Sequence, residues 1–293
     1  MTVDSPPFVS VIVPVFNDAI RLQSCLRSLE DQTYPKSAYE VVVVDNNSDE
    51  AIEATVNPFS QAVTVHETQR GSYAARNKGL SLAKGDVIAF TDVDCIPSLD
   101  WIEEGVAALY SVSNCGLVAG KIEFFFENPH QPKILELCDS AMYLQQEFYL
   151  KNSNFGATAN VFTFKAVFDK VGLFNEKLKS GGDYDWGQRV YRAGYQQLYA
   201  ENVCIAHPAR SSFHELHKKI VRTTKASTDL RFGGDHSFIF LRDLIRDLIP
   251  PVKTFYRIQT NNIFLRVEVI IAIVLIKHLI AFERIKARLS FSV

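Results

Sequence analysis

Two aspartates in the first third of the chain have the types and spacing to bind a metal ion. Asp92 and Asp94 follow a short apolar run, Val87–Phe90, within the stretch GDVIAFTDVD. The run predicts a buried strand, and carboxylates two residues apart just beyond a strand can point the same way. Such a pair suits a hard divalent cation whose other ligands are phosphate oxygens and water. A solvated acidic turn is the alternative interpretation.

A second acidic cluster occurs in the stretch SGGDYDW. Asp183 and Asp185 follow two glycines there and precede a predicted helix, Trp186–Ala193. Consecutive glycines let a backbone approach a ligand closely, so the cluster could line a binding site. An aspartate in the first turn of a helix also acts as a cap. One carboxylate is enough for that purpose, and the other is then left unexplained.

Polar residues also follow the strand predicted at VVVV. Asp45 comes directly after these valines, where its carboxylate could accept a hydrogen bond from a ring N–H of a base. An Asx turn or a helix cap made by Asp45, Asn46 or Ser48 is the alternative. Arg76 lies in a predicted helix before the central strand. It could bind a phosphate through two N–H groups, or it could face solvent.

His207 and Arg210 lie just beyond a stretch with strand character, Gln196–Ile205. Both side chains could face phosphates or a metal ion at the end of that strand. A structural role is the alternative for His207, because most single histidines are part of the packing rather than ligands.

The elements that must position these residues alternate in type through the first hundred residues, which predicts a parallel sheet with right-handed crossovers. The strands are predicted at Phe8–Val15, Tyr39–Val44, Ala62–His66 and Val87–Phe90, and the helices at Ala19–Asp31, Ala51–Thr55 and Gly71–Lys84. Ligands bind such sheets beyond the carboxyl ends of the strands. The glycine motifs of dinucleotide-binding folds and of P-loops are absent from the sequence.

Beyond Trp101 the pattern is mixed. The predictions are a helix at Ile102–Tyr110, a strand at Gly116–Phe126, a helix at Ile134–Leu150, a ligand-facing loop at Asn152–Asn160, an apolar segment at Val161–Phe168 and a helix end at Gly172. Gly120 is predicted to mark a bulge or a close approach of two backbones.

Composition excludes several classes of protein. The 293 residues carry 31 basic and 33 acidic side chains, a net charge of −2, so nothing indicates a nucleic-acid-binding protein. The five cysteines are scattered and form no Cys-x-x-Cys pair, which argues against a zinc site or a disulfide framework. With no secretory signal at its start, the sequence predicts a cytoplasmic protein.

Five motifs in order resemble glycosyltransferase family 2, whose members have the GT-A fold. They are VSVIVPVFN (Val9–Asn17), VVVVDNNSD (Val41–Asp49), YAARNKGL (Tyr73–Leu80), GDVIAFTDVD (Gly85–Asp94) and GGDYDWGQRVYRAG (Gly181–Gly194). The resemblance covers about residues 8–215. It implies an α/β fold, a Rossmann-like and mostly parallel central sheet flanked by helices, with a C-terminal helical extension.

The resemblance also implies a role for each matching residue. The donor would be a nucleotide-diphospho-sugar, usually with uridine, and Mg²⁺ or Mn²⁺ would bind at Asp94 with help from Asp92, with His207 as a further candidate ligand. Pro14, Phe16, Asp45 and Asn46 would line the base and ribose pocket, and Arg76, its neighbour Asn77 and Asp92 would lie near the diphosphate. Asp183 takes the position of the catalytic base, with Asp185 as second choice. Family members commonly have a glutamate where this chain has Gly182.

These implications predict an inverting glycosyltransferase that acts on a glycan or lipid-linked acceptor. Residues 1–215 would form the catalytic domain, with a nucleotide-sugar-binding half at 8–100 and an acceptor-binding half at 101–215, and residues 216–293 would form the extension. The motif Gln-x-x-Arg-Trp of processive synthases is absent. A non-catalytic nucleotide-sugar-binding module and a sugar nucleotidyltransferase are the alternatives.

The last part of the chain differs in charge from the rest. Residues 237–293 hold nine Lys and Arg against four Asp and Glu, a net charge of +5. Ile263–Phe282 is mostly apolar, and one helix face is predicted to carry four basic residues, Arg266, Lys277, Arg284 and Arg288. The pattern favours a basic amphipathic helix on a membrane surface, at the inner face of the cell membrane. Packing on the catalytic domain or on another subunit is the alternative.

Overall fold

The structure is a computed structural model that describes residues 5–231, 237–249 and 252–289. The chain divides into two compact units. The first comprises Met1–Glu123 and Gln145–His207, and the second comprises Phe124–Leu144 and Pro208–Val293. The sequence predicts a nucleotide-sugar-binding half that ends at residue 100, an acceptor-binding half that ends at residue 215 and a C-terminal extension. These assignments stay predictions.

The first hundred residues fold in the predicted alternating order. The strands are β1 (Val9–Val15), β2 (Tyr39–Asp45), β3 (Ala62–His66) and β4 (Val87–Thr91), and the helices are α1 (Ala19–Glu30), α2 (Ile52–Val56) and α3 (Ser72–Leu82). β1 pairs in parallel with both β2 and β4, and β2 pairs in parallel with β3. The predicted parallel arrangement is therefore confirmed for this half of the sheet.

The second half of the sheet is antiparallel. In chain order it adds β5 (Ile96–Pro97), α4 (Trp101–Ser111), β6 (Cys115–Phe125), α5 (Ile134–Met142), α6 (Gln146–Ser153), β7 (Asn160–Phe164), α7 (Lys165–Val171), α8 (Gly182–Arg192) and β8 (Gln196–Pro208). The strand order is β3-β2-β1-β4-β7-β6-β8-β5. β7 runs antiparallel to β4 and β6, and β5 runs antiparallel to β8. The predicted α/β class is confirmed, with a mixed sheet at its centre.

Apolar side chains cover both faces of this sheet. Val11 and Val13 of β1 belong to the core cluster that also contains the α1 residues Leu22 and Leu26. The alternate residue Ile12 belongs to a separate cluster on the other face, which includes side chains of α3 and α8. A strand buried on both faces needs a continuous apolar run, and the sequences VSVIVPV and YEVVVV supply it.

The helix predicted at Ile134–Leu150 is wrong, because the chain breaks near its middle. Leu144 has a φ of 54°, in the left-handed region, and the residues on either side form the separate helices α5 and α6. The ligand-facing loop predicted at Asn152–Asn160 is shorter, because α6 runs to Ser153 and β7 begins at Asn160.

The other differences in this half are local. The apolar segment Val161–Phe168 divides into the end of β7 and the start of α7. The helix end predicted at Gly172 is confirmed, because α7 stops at Val171 and Gly172 has a φ of 83°. A Cβ at Gly120 would lie 2.2 Å from the carbonyl oxygen of Val203. The predicted close approach of two backbones at Gly120 is confirmed.

The second unit is helical. It contains α5, α9 (Phe213–Arg231), α10 (Ser237–Leu248) and α11 (Ile263–Leu289). Its core joins Leu137 of α5 and Leu216 of α9 with Val269 and Ile273 of α11. Among the residues that the structure describes, no helix is both long and apolar enough to cross a membrane.

The basic face predicted for α11 is wrong. Arg284 is buried and donates to Asp247, Arg266 donates to the carbonyl of Thr260, and Lys277 donates to the carbonyl of Arg246. These three cations are bonded within the unit because their spacing turns them toward neighbouring segments. Most of the exposed side chains of α11 are apolar instead, and they include Phe264, Ile271, Leu275, Phe282 and Leu289.

Candidate active site

The crossover connections create a crevice between β1 and β4. After β1 the chain adds β2 and β3 on one side, and it then returns to add β4 on the other side of β1. Ligands of open α/β sheets bind at such a switch point, beyond the carboxyl ends of the two strands. Pro14 and Phe16 lie at the end of β1, and Asp92 follows the end of β4. The strand order therefore brings the first and the fourth motifs to one edge.

The loops after β1 and β2 are bonded to each other. Asn17 donates its side-chain N–H to Asp49 and receives the backbone N–H of that residue, and its own backbone N–H donates to the hydroxyl of Ser48. Phe16 is about half exposed beside them, and the guanidinium of Arg70 lies 4.8 Å from its ring centroid. The pair presents a flat, cationic surface at the end of β1.

Asp45 and Asn46 have structural partners. One carboxylate oxygen of Asp45 accepts the backbone N–H of Ser48, which is the Asx turn considered as the alternative, and the other lies 3.4 Å from Nδ1 of His66. The buried amide of Asn46 donates to the carbonyls of Glu67 and Gln69 and accepts the N–H of Gly71. Asn46 therefore holds the loop that leads into α3.

Arg76 is buried in the cleft and forms an ion pair with Asp92. The alternative of a solvent-facing arginine is excluded, since the side chain of Arg76 is 4% exposed, and the predicted phosphate contact stays a prediction. The guanidinium also lies 5.7 Å from the ring centroid of Tyr73, and Nε of Arg76 has no hydrogen-bond partner among the described residues. A buried N–H of this kind can still bind an anion.

The side chain of Asn77 is hydrogen-bonded to the segment after α7. Its buried amide donates to the carbonyl of Phe174 and to the carboxylate of Glu176, and it accepts the backbone N–H of Phe174. These bonds join α3 to the segment after α7, and the predicted contact of Asn77 with a nucleotide stays a prediction.

Asp94 lies beside His207 at the end of β8. A carboxylate oxygen of Asp94 is 3.6 Å from Nε2 of His207, and Sγ of Cys95 completes a group whose candidate ligand atoms lie within 4.8 Å of one another. Asp92 is not part of this group, because its carboxylate is directed to Arg76. The structure thus brings Asp94 together with His207 and directs Asp92 to Arg76, and the metal site stays a prediction.

Asp183 lies in the first turn of α8, next to Tyr73 and near the charges of Arg76 and Asp92. Its Oδ1 accepts the backbone N–H of Tyr184 at 2.9 Å and lies 3.4 Å from the hydroxyl of Tyr73. Burial raises the pKa of Asp183 above its ordinary value, and the charge of Asp92 acts in the same direction, whereas Arg76 opposes them. Gly181 is the N-cap residue of α8 and no side chain caps it, so capping does not account for Asp183.

Asp185 has a separate partner. Its carboxylate forms an ion pair with Arg189, one turn along α8, at 3.1 Å. Arg189 also donates to the carbonyls of Val171, Gly172 and Leu173. Asp185 therefore helps to join α8 to the segment after α7, and Asp183 is the carboxylate of this cluster that meets Tyr73 and Arg76.

Arg210 and its ion-pair partner both belong to the second unit. Its Nη1 lies 3.2 Å from the buried carboxylate of Asp139, which also receives Lys219 at 3.1 Å. The prediction that Arg210 faces phosphates or a metal is not supported by these contacts.

Sequence reasoning missed three residues of the site. Tyr73, Arg70 and Cys95 lie against Asp183, Phe16 and Asp94 respectively. Tyr73 and Cys95 lie within or next to recognised motifs, and that proximity is the signal that could have found them. For Arg70 the sequence offers no comparable signal.

The mixed sheet, with its switch point between β1 and β4, is the GT-A fold. The chain belongs to glycosyltransferase family 2, since the family model "Glycosyl transferase family 2" matches residues 10–172. The predicted family, fold class and enzyme class are thereby confirmed.

Individual proteins show the same likeness. The chain is 41% identical over 224 residues to glycosyltransferase AglE of Haloferax volcanii, covering 75% of this chain and 72% of that protein. The mannosyltransferase PcManGT of Pyrobaculum calidifontis, solved in complex with GDP-Man and Mn²⁺, has a TM-score of 0.67 at 18% identity over 97% of this chain and 88% of its own. GalNAc-T7, solved with UDP, GalNAc and Mn²⁺, has a TM-score of 0.56 at 17% identity. The match covers 70% of this chain and 43% of that one.

Proposed function

We propose that the protein transfers a sugar from a nucleotide-diphosphate donor to a hydroxyl acceptor with inversion of the anomeric carbon, and that Asp183 is the catalytic base. The observation that carries the proposal is the position of Asp183. Its carboxylate meets the hydroxyl of Tyr73 and lies within the electrostatic reach of Arg76 and Asp92, although Asp183 is far from all three along the chain. The raised pKa of Asp183 makes it a better proton acceptor than an exposed aspartate.

The donor site of this proposal lies at the switch point. Arg76 is suited to the diphosphate because it is buried, cationic and has an unused N–H. Phe16 with Arg70 offers a stacking surface for a base. The choice of UDP stays a prediction, because PcManGT was solved with GDP-Man and GalNAc-T7 with UDP.

The residues around Asp94 fit a divalent metal ion. Asp94 and His207 supply a carboxylate oxygen and an imidazole nitrogen close together, which suits Mn²⁺ and tolerates Mg²⁺. When bound, the ion would supply Lewis-acid stabilisation of the charge that forms on the leaving diphosphate. Mn²⁺ in the structures of PcManGT and GalNAc-T7 agrees with this chemistry.

The protein's own residues supply the rest of the mechanism. Asp183 accepts the proton of the acceptor hydroxyl as that oxygen attacks the anomeric carbon. The bond between the anomeric carbon and the diphosphate oxygen breaks in the same step, and Arg76 would bind the departing diphosphate, which takes the electron pair. One displacement with one base inverts the configuration, whereas retention would require a second nucleophilic step.

Substitution of the two aspartates of α8 tests the assignment of the base. Asp183→Asn should lower kcat by about 10²–10⁴ while donor affinity stays nearly unchanged, because a neutral amide cannot accept the proton. Asp185→Asn is the matched control and should keep turnover within about tenfold, since its partner Arg189 lies outside the reaction path. The measurement is release of nucleoside diphosphate from a panel of nucleotide sugars with Mn²⁺. Normal turnover in Asp183→Asn would refute the assignment.

The same assay separates the alternative functions. A nucleotidyltransferase would release pyrophosphate, and a binding module would release neither product. The acidic cleft favours transfer, since Asp92, Asp94 and Asp183 are all present where a module without turnover needs no base.

We also propose that the acceptor is a glycan or a lipid-linked glycan and that the second unit binds a membrane surface. Support comes from α10 and α11, where several exposed side chains are large and apolar, including Leu241, Ile245, Phe264, Ile271 and Leu275. The charges between them are mostly positive. Asp243, Asp247 and Glu283 are buried, whereas Arg242, Arg246 and Lys286 are largely exposed and Glu268 is the exposed acid. Such a surface complements anionic lipids, at the inner membrane face that the sequence predicts.

A further inference from the structure

Tyr73 is a buried tyrosine whose hydroxyl reaches the proposed catalytic base. It lies in the first turn of α3 and is 6% exposed. Its ring packs at 5.7 Å from that of Phe174, and its hydroxyl oxygen lies 3.4 Å from Oδ1 of Asp183, a residue 110 positions away in the sequence. A buried tyrosine hydroxyl normally has a polar partner, and here that partner is a carboxylate.

The first turn of α8 rests directly on this ring. A Cβ at Gly182 would lie 2.7 Å from Cε2 and 2.8 Å from Cζ of Tyr73. A side chain at position 182 would therefore displace either the ring or the helix, and glycine is required because Tyr73 fills that space. The backbone next to Asp183 therefore packs directly against the Tyr73 ring.

The protonation state of Tyr73 makes its hydroxyl a donor. Burial raises the pKa of Tyr73, and the charge of Asp183 raises it further, against the opposing effect of Arg76. The hydroxyl therefore keeps its proton at any pH at which the protein would work, and an ionised carboxylate can only accept. Tyr73 donates to Asp183.

Both hydrogen bonds to Asp183 are made to one oxygen. Oδ1 receives the Tyr73 hydroxyl and the backbone N–H of Tyr184. Within the part of the chain that the structure describes, no hydrogen bond reaches Oδ2. The two donors thus fix the rotation of the carboxylate and leave Oδ2 as the oxygen for a proton from outside.

We infer that Tyr73 is a positioning residue for the transfer reaction, whose hydroxyl orients Asp183 so that Oδ2 meets the acceptor hydroxyl. The inference rests on the proposed role of Asp183 as base. It adds a function for α3 beyond phosphate contact, because one helix then carries both Arg76 and the group that aligns the base.

Tyr73→Phe is the decisive variant, because it keeps the ring over Gly182 and beside Arg76 and removes only the hydroxyl. A hydrogen bond to a charged group accounts for a factor of about ten to one hundred, so kcat should fall about tenfold or more while KM for the donor stays within about threefold. The matched control is Tyr191→Phe on α8, an exposed tyrosine far along the helix, which should match the wild type.

The pH profile separates positioning from packing. The groups that face Asp183 are Tyr73 and Arg76 from α3 and Asp92 from the end of β4. Loss of the Tyr73 donor destabilises the ionised carboxylate, so the acid limb of kcat/KM should move to higher pH. Thermal unfolding and donor binding, measured by calorimetry, should be unchanged in Tyr73→Phe.

The possible results fall into two groups. A loss in kcat with unchanged donor affinity and a shifted acid limb supports positioning. An unchanged kcat, an unshifted limb, or a loss that parallels donor affinity or thermal stability overturns it. Asp183→Asn distinguishes the two proposals: if that variant is inactive and Tyr73→Phe is normal, only the positioning role fails, and if Asp183→Asn is active, the base assignment fails.

Discussion

Arg76 is the cation that allows two aspartates to share one cleft. The charges of Asp92 and Asp183 repel each other, and Arg76 forms an ion pair with Asp92 and opposes the rise in the pKa of Asp183. The guanidinium of Arg76 also contacts the ring of Tyr73, whose hydroxyl meets Asp183. The charge balance of the cleft therefore depends on a side chain in a helix and not on the acidic loops alone.

At this scale the metal site can be tested through His207. Replacing His207 with alanine removes the imidazole beside Asp94, so the Mn²⁺ concentration for half-maximal activity should rise about tenfold or more. Activity should recover in part at saturating Mn²⁺, since Asp94 remains. His214→Ala, at an exposed position of α9, is the control. An unchanged metal requirement in His207→Ala would exclude the imidazole as a ligand.

Among the elements, β7 connects the parallel and antiparallel halves of the sheet. Its first residue, Asn160, is buried and accepts the indole N–H of Trp101, and its amide donates to the carbonyls of Lys121 and Val203. One side chain thus joins α4, β6 and β8, the strand that carries His207. The local sequence NSNFGATAN indicates a loop and contains no trace of this role.

Asn160→Ala should destabilise the protein by about 3 kcal/mol or more, because it leaves an indole N–H and two carbonyls buried without partners. Urea unfolding monitored by tryptophan fluorescence measures the change. Asn152→Ala removes an exposed amide whose bond lies within α6, and it should change stability by less than about 0.5 kcal/mol. Equal stability of the two variants would show that Asn160 does not hold these elements together.

At the scale of the whole molecule, the two units differ in whether their long apolar segments are buried or exposed. The first unit buries its long apolar runs in a sheet, whereas α11 in the second unit exposes a stripe of large apolar side chains along its length. Three of its neighbouring acids are buried, so the exposed charge beside the stripe is mostly positive.

Vesicle flotation tests the proposed membrane surface of the full chain. The wild type should float with vesicles that contain phosphatidylglycerol and less with phosphatidylcholine alone. Ile271→Glu with Leu275→Glu should abolish flotation, because both side chains are more than half exposed on α11. Ile20→Glu with Leu82→Glu, at exposed apolar positions of the first unit, is the control. Flotation of the α11 variant at the wild-type level would refute the surface, and dimerisation of the wild type alone would favour a second copy.

The sequence by itself determined the parallel half of the sheet, the family and the two acidic clusters. Continuous apolar runs ending in polar turns, such as VVVVD, specify buried strands and the edge where their ends meet, since burial on both faces depends on local composition. The close approach of two backbones at Gly120 could also be predicted, because a glycine inside a strand often marks such a contact. These features depend on neighbours along the chain.

Only the tertiary structure decided which polar groups meet. Asp92 turned to Arg76 and Asp94 to His207, Asn46 and Asn77 were bonded to loops, and Tyr73 came to lie under Asp183. Each of these contacts joins two different elements or loops, between 16 and 113 residues apart along the chain. The residue types alone would allow several other partners of the same chemistry. The partner of a side chain depends on the order of the strands in the sheet and on how the helices pack. Periodicity along the chain carries no information about which distant side chains become neighbours in space.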